Sequence, residues 1–121
     1  MIRKINFVSI PVEDQDRALE FYTTKLGFRL FTDQPFNATQ RWLELRIPGA
    51  ETMVVLFKTD NGIQPGAFMN MSFGADDVAA TAKELMDAGV HFTQPPTQEP
   101  WGMYAMFKVS EGNQIVLSTK A

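Results

Sequence analysis

The sequence predicts an α+β fold built from two tandem βαβββ modules, and a repeated pattern of helix caps is the main evidence. In each half of the 121-residue chain a strand-like segment ends at an acidic pair, whose second residue is Asp14 or Asp77. Apolar residues at helical spacing follow each pair, and each helix ends before a glycine, Gly27 or Gly89. Because these signals recur in the same order, they indicate two copies of one unit.

The first module begins with a predicted strand over residues 5–12, in which apolar side chains alternate. Asp14 is the predicted N-cap of the helix, since a carboxylate accepts backbone N–H bonds and suits the positive helix end. The helix is expected to run to Gly27, where a left-handed residue ends it. Strands are then predicted over residues 28–31, 41–47 and 53–58, with a loop over residues 32–40.

The second module repeats this order. A strand over residues 68–75 precedes a helix that is capped by Asp77 and ends at Gly89. Strands are then predicted over residues 90–93, 103–109 and 114–118, with a loop over residues 94–102.

The whole chain, residues 1–121, is predicted to form a single domain. Module 1 spans about residues 1–60, a linker about 59–66, and module 2 about 67–121. Each half is too small to bury its own sheet well, so we expect the modules to pair through their sheets.

Side-chain alternation predicts which face of each strand the helices cover. The apolar set expected beneath the helices is Val8, Ile10, Val12, Val54, Leu56, Met71, Phe73, Ala75, Ile115 and Leu117. The opposite face carries Phe7, Ser9, Val55, Phe57, Asn70, Ser72, Val116 and Ser118. Its mixture of large apolar groups with hydroxyl and amide groups is typical of a ligand cavity, but also of a two-sided core or a dimer interface.

The composition excludes several kinds of chemistry. The chain has no cysteine and one histidine, so disulfides, thiol nucleophiles and zinc fingers are excluded, as is a two-histidine iron site within one chain. A net charge of −3 with well-mixed signs favours neither nucleic acid nor an anionic membrane as a partner. The N-terminal residues lack the apolar stretch of a signal peptide, so we expect a cytoplasmic protein.

Several segments resemble the vicinal oxygen chelate superfamily, which includes glyoxalase I, extradiol dioxygenases and bleomycin-resistance proteins. The matching segments are residues 12–22 leading to 26–28, residues 73–77, Pro100-Trp101-Gly102 and residues 107–113. The resemblance covers nearly the whole chain. It implies a curved mixed sheet with the helices on its outer face and a cleft on its inner face, and it implies a homodimer.

The same resemblance locates the positions that hold metal ligands in metal-using members. They fall on Phe7 and Asn70 in the first strand of each module, and on Val55 and Val116 in the last strand. Three of these four side chains are hydrocarbon, and one amide cannot hold a divalent metal alone. We therefore expect no metal site and no cofactor.

The remaining function that the resemblance implies is the binding of a small aromatic or cationic molecule, as in the metal-free bleomycin-resistance type. Aromatic rings stack on flat heterocycles, and Glu44 and Arg46 offer charge beside Trp42. Acidic character in the cleft would favour a cationic ligand. The candidate residues of the ligand-binding cleft are Phe7, Ser9, Trp42, Glu44, Val55, Phe57, Asn70, Trp101, Tyr104 and Val116.

Two alternatives stay open at this point. The first is a divergent lyase, isomerase or dioxygenase that uses a relocated site around Glu44, Asn70 and His91. The second is that side chains or a partner subunit fill the inner face, so that the protein makes only protein contacts. No paired carboxylates, phosphate loop or nucleophile elbow identifies catalytic residues.

Overall fold

The computed structural model describes residues 1–59 and 67–119. Most of the predicted linker, about residues 59–66, lies outside this part of the chain. The chain divides into two compact units, Met1–Ile63 and Gln64–Ala121. The strands are β1 (Phe7–Val12), β2 (Arg29–Pro35), β3 (Arg41–Arg46), β4 (Met53–Lys58), β5 (Phe68–Ala75), β6 (Phe92–Glu99), β7 (Gly102–Lys108) and β8 (Gln114–Thr119). The helices are α1 (Gln15–Glu20) and α2 (Val78–Asp87).

The two units have the same topology, which confirms the predicted pair of βαβββ modules. The first unit has the sheet order β1-β4-β3-β2, and the second has the order β5-β8-β7-β6. In each sheet the first and last strands of the module pair in parallel and the other neighbours pair antiparallel. One helix packs on each sheet, α1 on β4 and α2 on β6, β7 and β8.

The predicted caps begin both helices. The Asp14 carboxylate accepts a hydrogen bond from the backbone N–H of Arg17, and Asp77 accepts one from Ala80. Past the helices, Gly27 and Gly89 have φ angles of 77° and 94°, where a side chain is disfavoured. The local signals that mark the repeat in the sequence are therefore the groups that set the helix limits.

The first helix differs from the prediction because its second half is a π-helical segment, Phe21–Lys25. Two threonine hydroxyls in this segment donate to carbonyls of the preceding turn, Thr23 to Leu19 at 2.7 Å and Thr24 to Glu20 at 2.6 Å. Such bonds compete with the backbone ladder and bend helices. The spacing of apolar residues is too similar in the two helix types to reveal the change.

The strands that follow each helix are longer than predicted. Residues 32–40 and 94–102 were expected to be loops, whereas β2 reaches Pro35 and β6 reaches Glu99. Both are outermost strands, where one side has no neighbour and polar residues are favoured. Prolines are also tolerated there, and Pro95 and Pro96 lie within β6. Their composition resembles that of loops for this reason.

Burial confirms the predicted helix-covered faces in outline. The fully or nearly fully buried apolar residues on these faces include Ile10, Val12, Leu43, Leu45, Val54, Leu56, Ala105, Phe107, Ile115 and Leu117. The predicted members Val8, Met71, Phe73 and Ala75 are only half-buried. None of the helices in residues 1–59 and 67–119 combines the length and the apolar character needed to span a membrane.

Candidate functional site

Four aromatic rings cluster on the face of the first sheet opposite α1. Strand register directs Phe7, Trp42 and Phe57 to this face, and Phe36 joins them from the loop after β2. We call these four rings the aromatic face. Ring centroids lie 5.2 Å apart for Phe7 and Trp42, 5.9 Å for Phe36 and Trp42, and 6.4 Å for Trp42 and Phe57. Edge-to-face and tilted contacts at these distances are favourable aromatic geometries.

The rings of the aromatic face differ in exposure. Phe36 is 58% exposed and Phe7 is 40% exposed, while Trp42 and Phe57 are half-buried. The cluster is thus a packed patch that presents the outer surfaces of its rings. Exposed aromatic groups this close together are rare on a monomer surface without a function.

The predicted residues Ser9 and Val55 lie on the same face as the rings. They are register partners in the parallel pair of β1 and β4. Ser9 is exposed, whereas Val55 is fully buried and offers no surface to a ligand. Val55 is therefore part of the floor of this region.

Glu44 is the acidic side chain of this face. Its neighbour two residues earlier, Trp42, donates an indole N–H bond to Glu44 Oε1 at 2.9 Å. Because strand residues two apart point to the same side, the carboxylate lies beside the rings and the indole fixes its orientation. Glu44 is half-buried.

Phe36 is the member of the aromatic face that sequence reasoning missed. It precedes a tight turn in which its own N–H donates to the Gln40 carbonyl at 2.8 Å. The Asn37 side chain accepts from the N–H groups of Thr39 and Gln40 at 3.0 and 2.9 Å. An asparagine at the start of a turn is a signal for this geometry, but no local signal shows what Phe36 contacts.

Side chains at the end of this turn hold it against the sheet. The Gln40 amide donates to the Lys58 carbonyl at 2.9 Å and accepts from the Lys58 N–H at 3.0 Å, as a strand residue would. The buried Gln15 side chain donates to the carbonyls of Arg41 and Leu56. The position of Phe36 is therefore set by bonds to β4 and to α1.

An ion network surrounds Arg41 at the same end of β3. Its guanidinium contacts Asp16 at 2.7 Å and Asp33 at 2.8 Å. Hydrogen bonding to Arg41 lowers the pKa of Asp33 below its ordinary value of 3.8, although desolvation opposes this shift. The two carboxylates raise the pKa of Arg41 in return, so this arginine stays charged.

The corresponding face of the second sheet is more polar. Ser72 and Ser118 share a hydrogen bond at 2.7 Å, and Tyr104 lies opposite Ser118 in the register. Trp101 is 62% exposed, and its ring stacks on the Tyr104 ring with the two centroids 6.2 Å apart. Val116 lies on the same face as Ser72, its register partner. This face combines hydroxyl groups with one aromatic pair.

Asn70 lies in an irregular stretch of β5. The pairing with β8 shifts between Phe68 and Ser72, and Asn70 has a φ angle of 52°. Asparagine tolerates this left-handed conformation better than most residues. The sequence predicted Asn70 as a regular position of the strand over residues 68–75; the structure shows that it lies at a bulge.

The four positions that align with metal ligands do not fit a metal. Phe7 and Val116 are hydrocarbon, Val55 is hydrocarbon and fully buried, and Asn70 is an exposed amide on the bulge. Within residues 1–59 and 67–119 there is also no group of three or more His, Cys, Asp and Glu side chains that would hold a metal ion. The set offers one amide oxygen, whereas a divalent metal requires several oxygen or imidazole ligands.

The histidine of the alternative enzyme hypothesis forms no ion pair with an acidic side chain of the described residues. His91 is exposed between α2 and β6, and no hydrogen bond joins its ring to a described residue. Its backbone carbonyl accepts from Lys108 at 2.9 Å, which explains its place beside β7. A base oriented by a second group is the usual catalytic arrangement, and His91 lacks it among the described residues.

The predicted site residues are divided between the two units. Those in the first unit are Phe7, Ser9, Trp42, Glu44, Val55 and Phe57; those in the second are Asn70, Trp101, Tyr104 and Val116. The structure brings the first group together on one sheet face around the aromatic rings. In the second group, Tyr104 and Val116 share a sheet face, Trp101 stacks beside Tyr104, and Asn70 lies on the β5 bulge.

The repeated sheet order and the helix on each sheet define a protein of tandem βαβββ modules. The chain belongs to the Glyoxalase/Bleomycin resistance protein/Dioxygenase superfamily, whose sequence model matches residues 4–117. This match confirms the resemblance found in the sequence.

Individual relatives agree with this family over nearly the full chain. YetH, an uncharacterized protein of Bacillus subtilis (strain 168), is 34% identical over 97% of this chain and 98% of its own length. A superfamily member from Sphaerobacter thermophilus DSM 20745 has a solved structure with a TM-score of 0.88, 32% identity and coverage of 98% of both chains. TnmS3, an antibiotic binding protein from Streptomyces sp. CB03234, has a TM-score of 0.86 and 36% identity over 99% of this chain and 98% of its own.

Proposed function

We propose that this protein binds and sequesters a small planar aromatic compound without a metal ion, and that the aromatic face is where the compound stacks. The observation that carries the proposal is the group of four rings in which Trp42 contacts the other three, with Phe7 and Phe36 40% and 58% exposed. Flat rings gain dispersion and quadrupole energy by stacking on such a surface, and little polar desolvation opposes them.

Two further facts support a binding function. The chain is 36% identical to TnmS3, an antibiotic binding protein, over nearly the full length of both chains. The residues aligned with the superfamily's metal positions offer three hydrocarbon side chains and one amide, which favours recognition by stacking over metal-assisted chemistry.

A titration with acridone, a neutral planar tricycle, tests the proposal. The chain has two tryptophans, so the Trp101→Phe variant leaves Trp42 as the fluorescent reporter of the aromatic face. We expect saturable quenching of Trp42, retained after dialysis against a chelator. Phe36→Ala should weaken binding about tenfold, because a lost ring contact of this kind is worth roughly 1 kcal/mol or more.

Phe31→Ala is the matched control for this experiment. Phe31 is 57% exposed, almost the same as Phe36, and lies in the same unit with its ring under Arg46 and outside the cluster. It should leave acridone affinity unchanged. Equal effects of the two variants, or quenching that never saturates, would refute the aromatic face as the binding site.

The proposal also includes a homodimer in the cytoplasm. The dimer rests on the superfamily resemblance and on the small core of each half, and the location rests on a composition without cysteine. Light scattering of the purified protein should give a mass near twice 13.6 kDa. A monomer mass at micromolar concentration would exclude this part.

A further inference from the structure

We propose that the ligand of the aromatic face carries a cationic nitrogen beside its planar ring, and that Glu44 is the counter-ion. This inference rests on the proposed function and specifies the ligand class of the same site. It follows from the way the chain orients Glu44 and from the lack of an ion pair between Glu44 and any residue of 1–59 and 67–119.

The indole of Trp42 orients the Glu44 carboxylate within the aromatic face. Oε1 accepts the indole N–H at 2.9 Å, and no described residue donates a hydrogen bond to Oε2. One oxygen is therefore fixed by the protein, and the other remains an acceptor for a donor outside it. Because the indole fixes the carboxylate, Oε2 also has a fixed orientation. A fixed acceptor orientation favours specific recognition of a donor.

The cations nearest in sequence are engaged elsewhere. Arg46 lies two residues after Glu44 on the same strand, but its guanidinium is placed over the Phe31 ring, 5.2 Å from the centroid. Arg41 is held by Asp16 and Asp33. Among the described residues, no lysine or arginine forms an ion pair with Glu44.

The Glu44 carboxylate is half-buried beside aromatic rings and forms no ion pair with a described residue. A ligand cation would gain two attractions at this place. It would pair with Glu44 Oε2, and it would be attracted by the negative faces of the surrounding rings. A neutral planar ligand gains stacking and at most a hydrogen bond from a neutral donor, without the charge of a cation.

A pair of dyes of similar shape separates the charge from the stacking. Proflavine is an acridine that is cationic at neutral pH, and acridone is neutral. In the Trp101→Phe background we expect proflavine to bind at least about tenfold more tightly than acridone, as a charge-assisted hydrogen bond implies. Glu44→Gln should remove most of this advantage by weakening proflavine about tenfold and acridone much less, because the Gln carbonyl still accepts from Trp42 but the charge is gone.

Glu51→Gln is the matched control, since Glu51 is an exposed glutamate that precedes β4 and the variant changes net charge equally. It should leave both affinities unchanged. If Glu44→Gln weakens both dyes alike, Glu44 acts only by holding Trp42 and the inference is wrong. If Glu44→Gln has no effect on proflavine, the inference is also wrong while binding at the aromatic face stands. If neither dye binds, the proposed function fails as well.

Discussion

The faces opposite the helices carry different chemistry in the two units, although the units share one topology. In the first unit this face is aromatic around one carboxylate, and in the second it has a hydroxyl pair beside one stacked aromatic pair. The strand register shows which positions on the two faces are equivalent. The matched pairs are Ser9 with Ser72, Val55 with Val116, Trp42 with Tyr104, Glu44 with Met106 and Phe57 with Ser118.

The helix-covered faces, in contrast, are alike. Both bury aliphatic and aromatic side chains under a helix that starts at an aspartate, as Leu45 in the first unit and Phe107 in the second illustrate. Packing under a helix restricts side chains to apolar groups of suitable volume, whereas the opposite face is free of that restriction. The difference between the units is therefore concentrated where a ligand would be recognised.

The largest expected effect is a loss of stability when aspartate replaces Val55, compared with the same substitution at the matched residue Val116. Val55 is fully buried and Val116 is half-buried. Val55→Asp should lower the free energy of unfolding by about 3 kcal/mol or more, because an unpaired charge loses its hydration. Val116→Asp should cost about 1 kcal/mol, since water still reaches that site. Urea denaturation measures both, and equal losses would contradict the difference between the two faces.

The β5 bulge predicts a smaller effect at Asn70. A β-branched residue is poorly tolerated at a φ of 52°, so Asn70→Val should cost about 1–2 kcal/mol. Asn70→Gly is the control and should be neutral or slightly stabilising. If β5 were regular at this point, as β1 is at Phe7, valine would fit the strand and stabilise it. A gain in thermal stability of Asn70→Val would therefore exclude the bulge.

The hairpin ends of the two units are pinned by different side chains in the same manner. Gln40 makes two bonds to the backbone of Lys58, and Thr119 makes two to the backbone of Met103, at 2.9 and 3.1 Å. Gln40→Ala and Thr119→Val should each cost about 1 kcal/mol in urea denaturation. Thr119→Ser keeps the hydroxyl and should retain most of the unfolding free energy that Thr119→Val loses. If the serine and valine variants lose equal stability, the effect comes from packing and not from the hydrogen bonds.

The smallest effect is the acid dependence of the ion network around Arg41 in the first unit. Arg41 lowers the pKa of Asp33, so the ionised carboxylate binds better in the folded state. This contribution is present above the ordinary value of 3.8 and is lost as the pH falls through the lowered value. The pair is partly exposed, so it contributes less than about 1 kcal/mol.

The Asp33→Asn variant tests this acid dependence. Below about pH 4 its unfolding free energy should converge with that of the unchanged protein. A constant difference between the two proteins down to acid pH would show that Asp33 acts through neutral hydrogen bonds and not through its charge.

The sequence alone predicted the repeat, the helix caps and the strand residues that face the helices, because each of these depends on neighbours along the chain. Asp14, Asp77, Gly27 and Gly89 act within a single turn, and the alternation of strand residues is a local property. The superfamily resemblance, which rests on sequence motifs, also assigned Phe7 and Val55 to metal-ligand positions without any coordinates.

What the tertiary structure decided are contacts between distant segments. Phe36 joins the rings only because Gln40 and Gln15 tie its loop to β4 and β3, and Asn70 leaves strand geometry only because β5 must meet β8 in a shifted register. The sequence by itself placed Trp42 and Glu44 on one face. Only the fold could orient that carboxylate against the indole and leave it without an ion pair to any described residue, because side-chain direction and ion pairing depend on the packing of all neighbours.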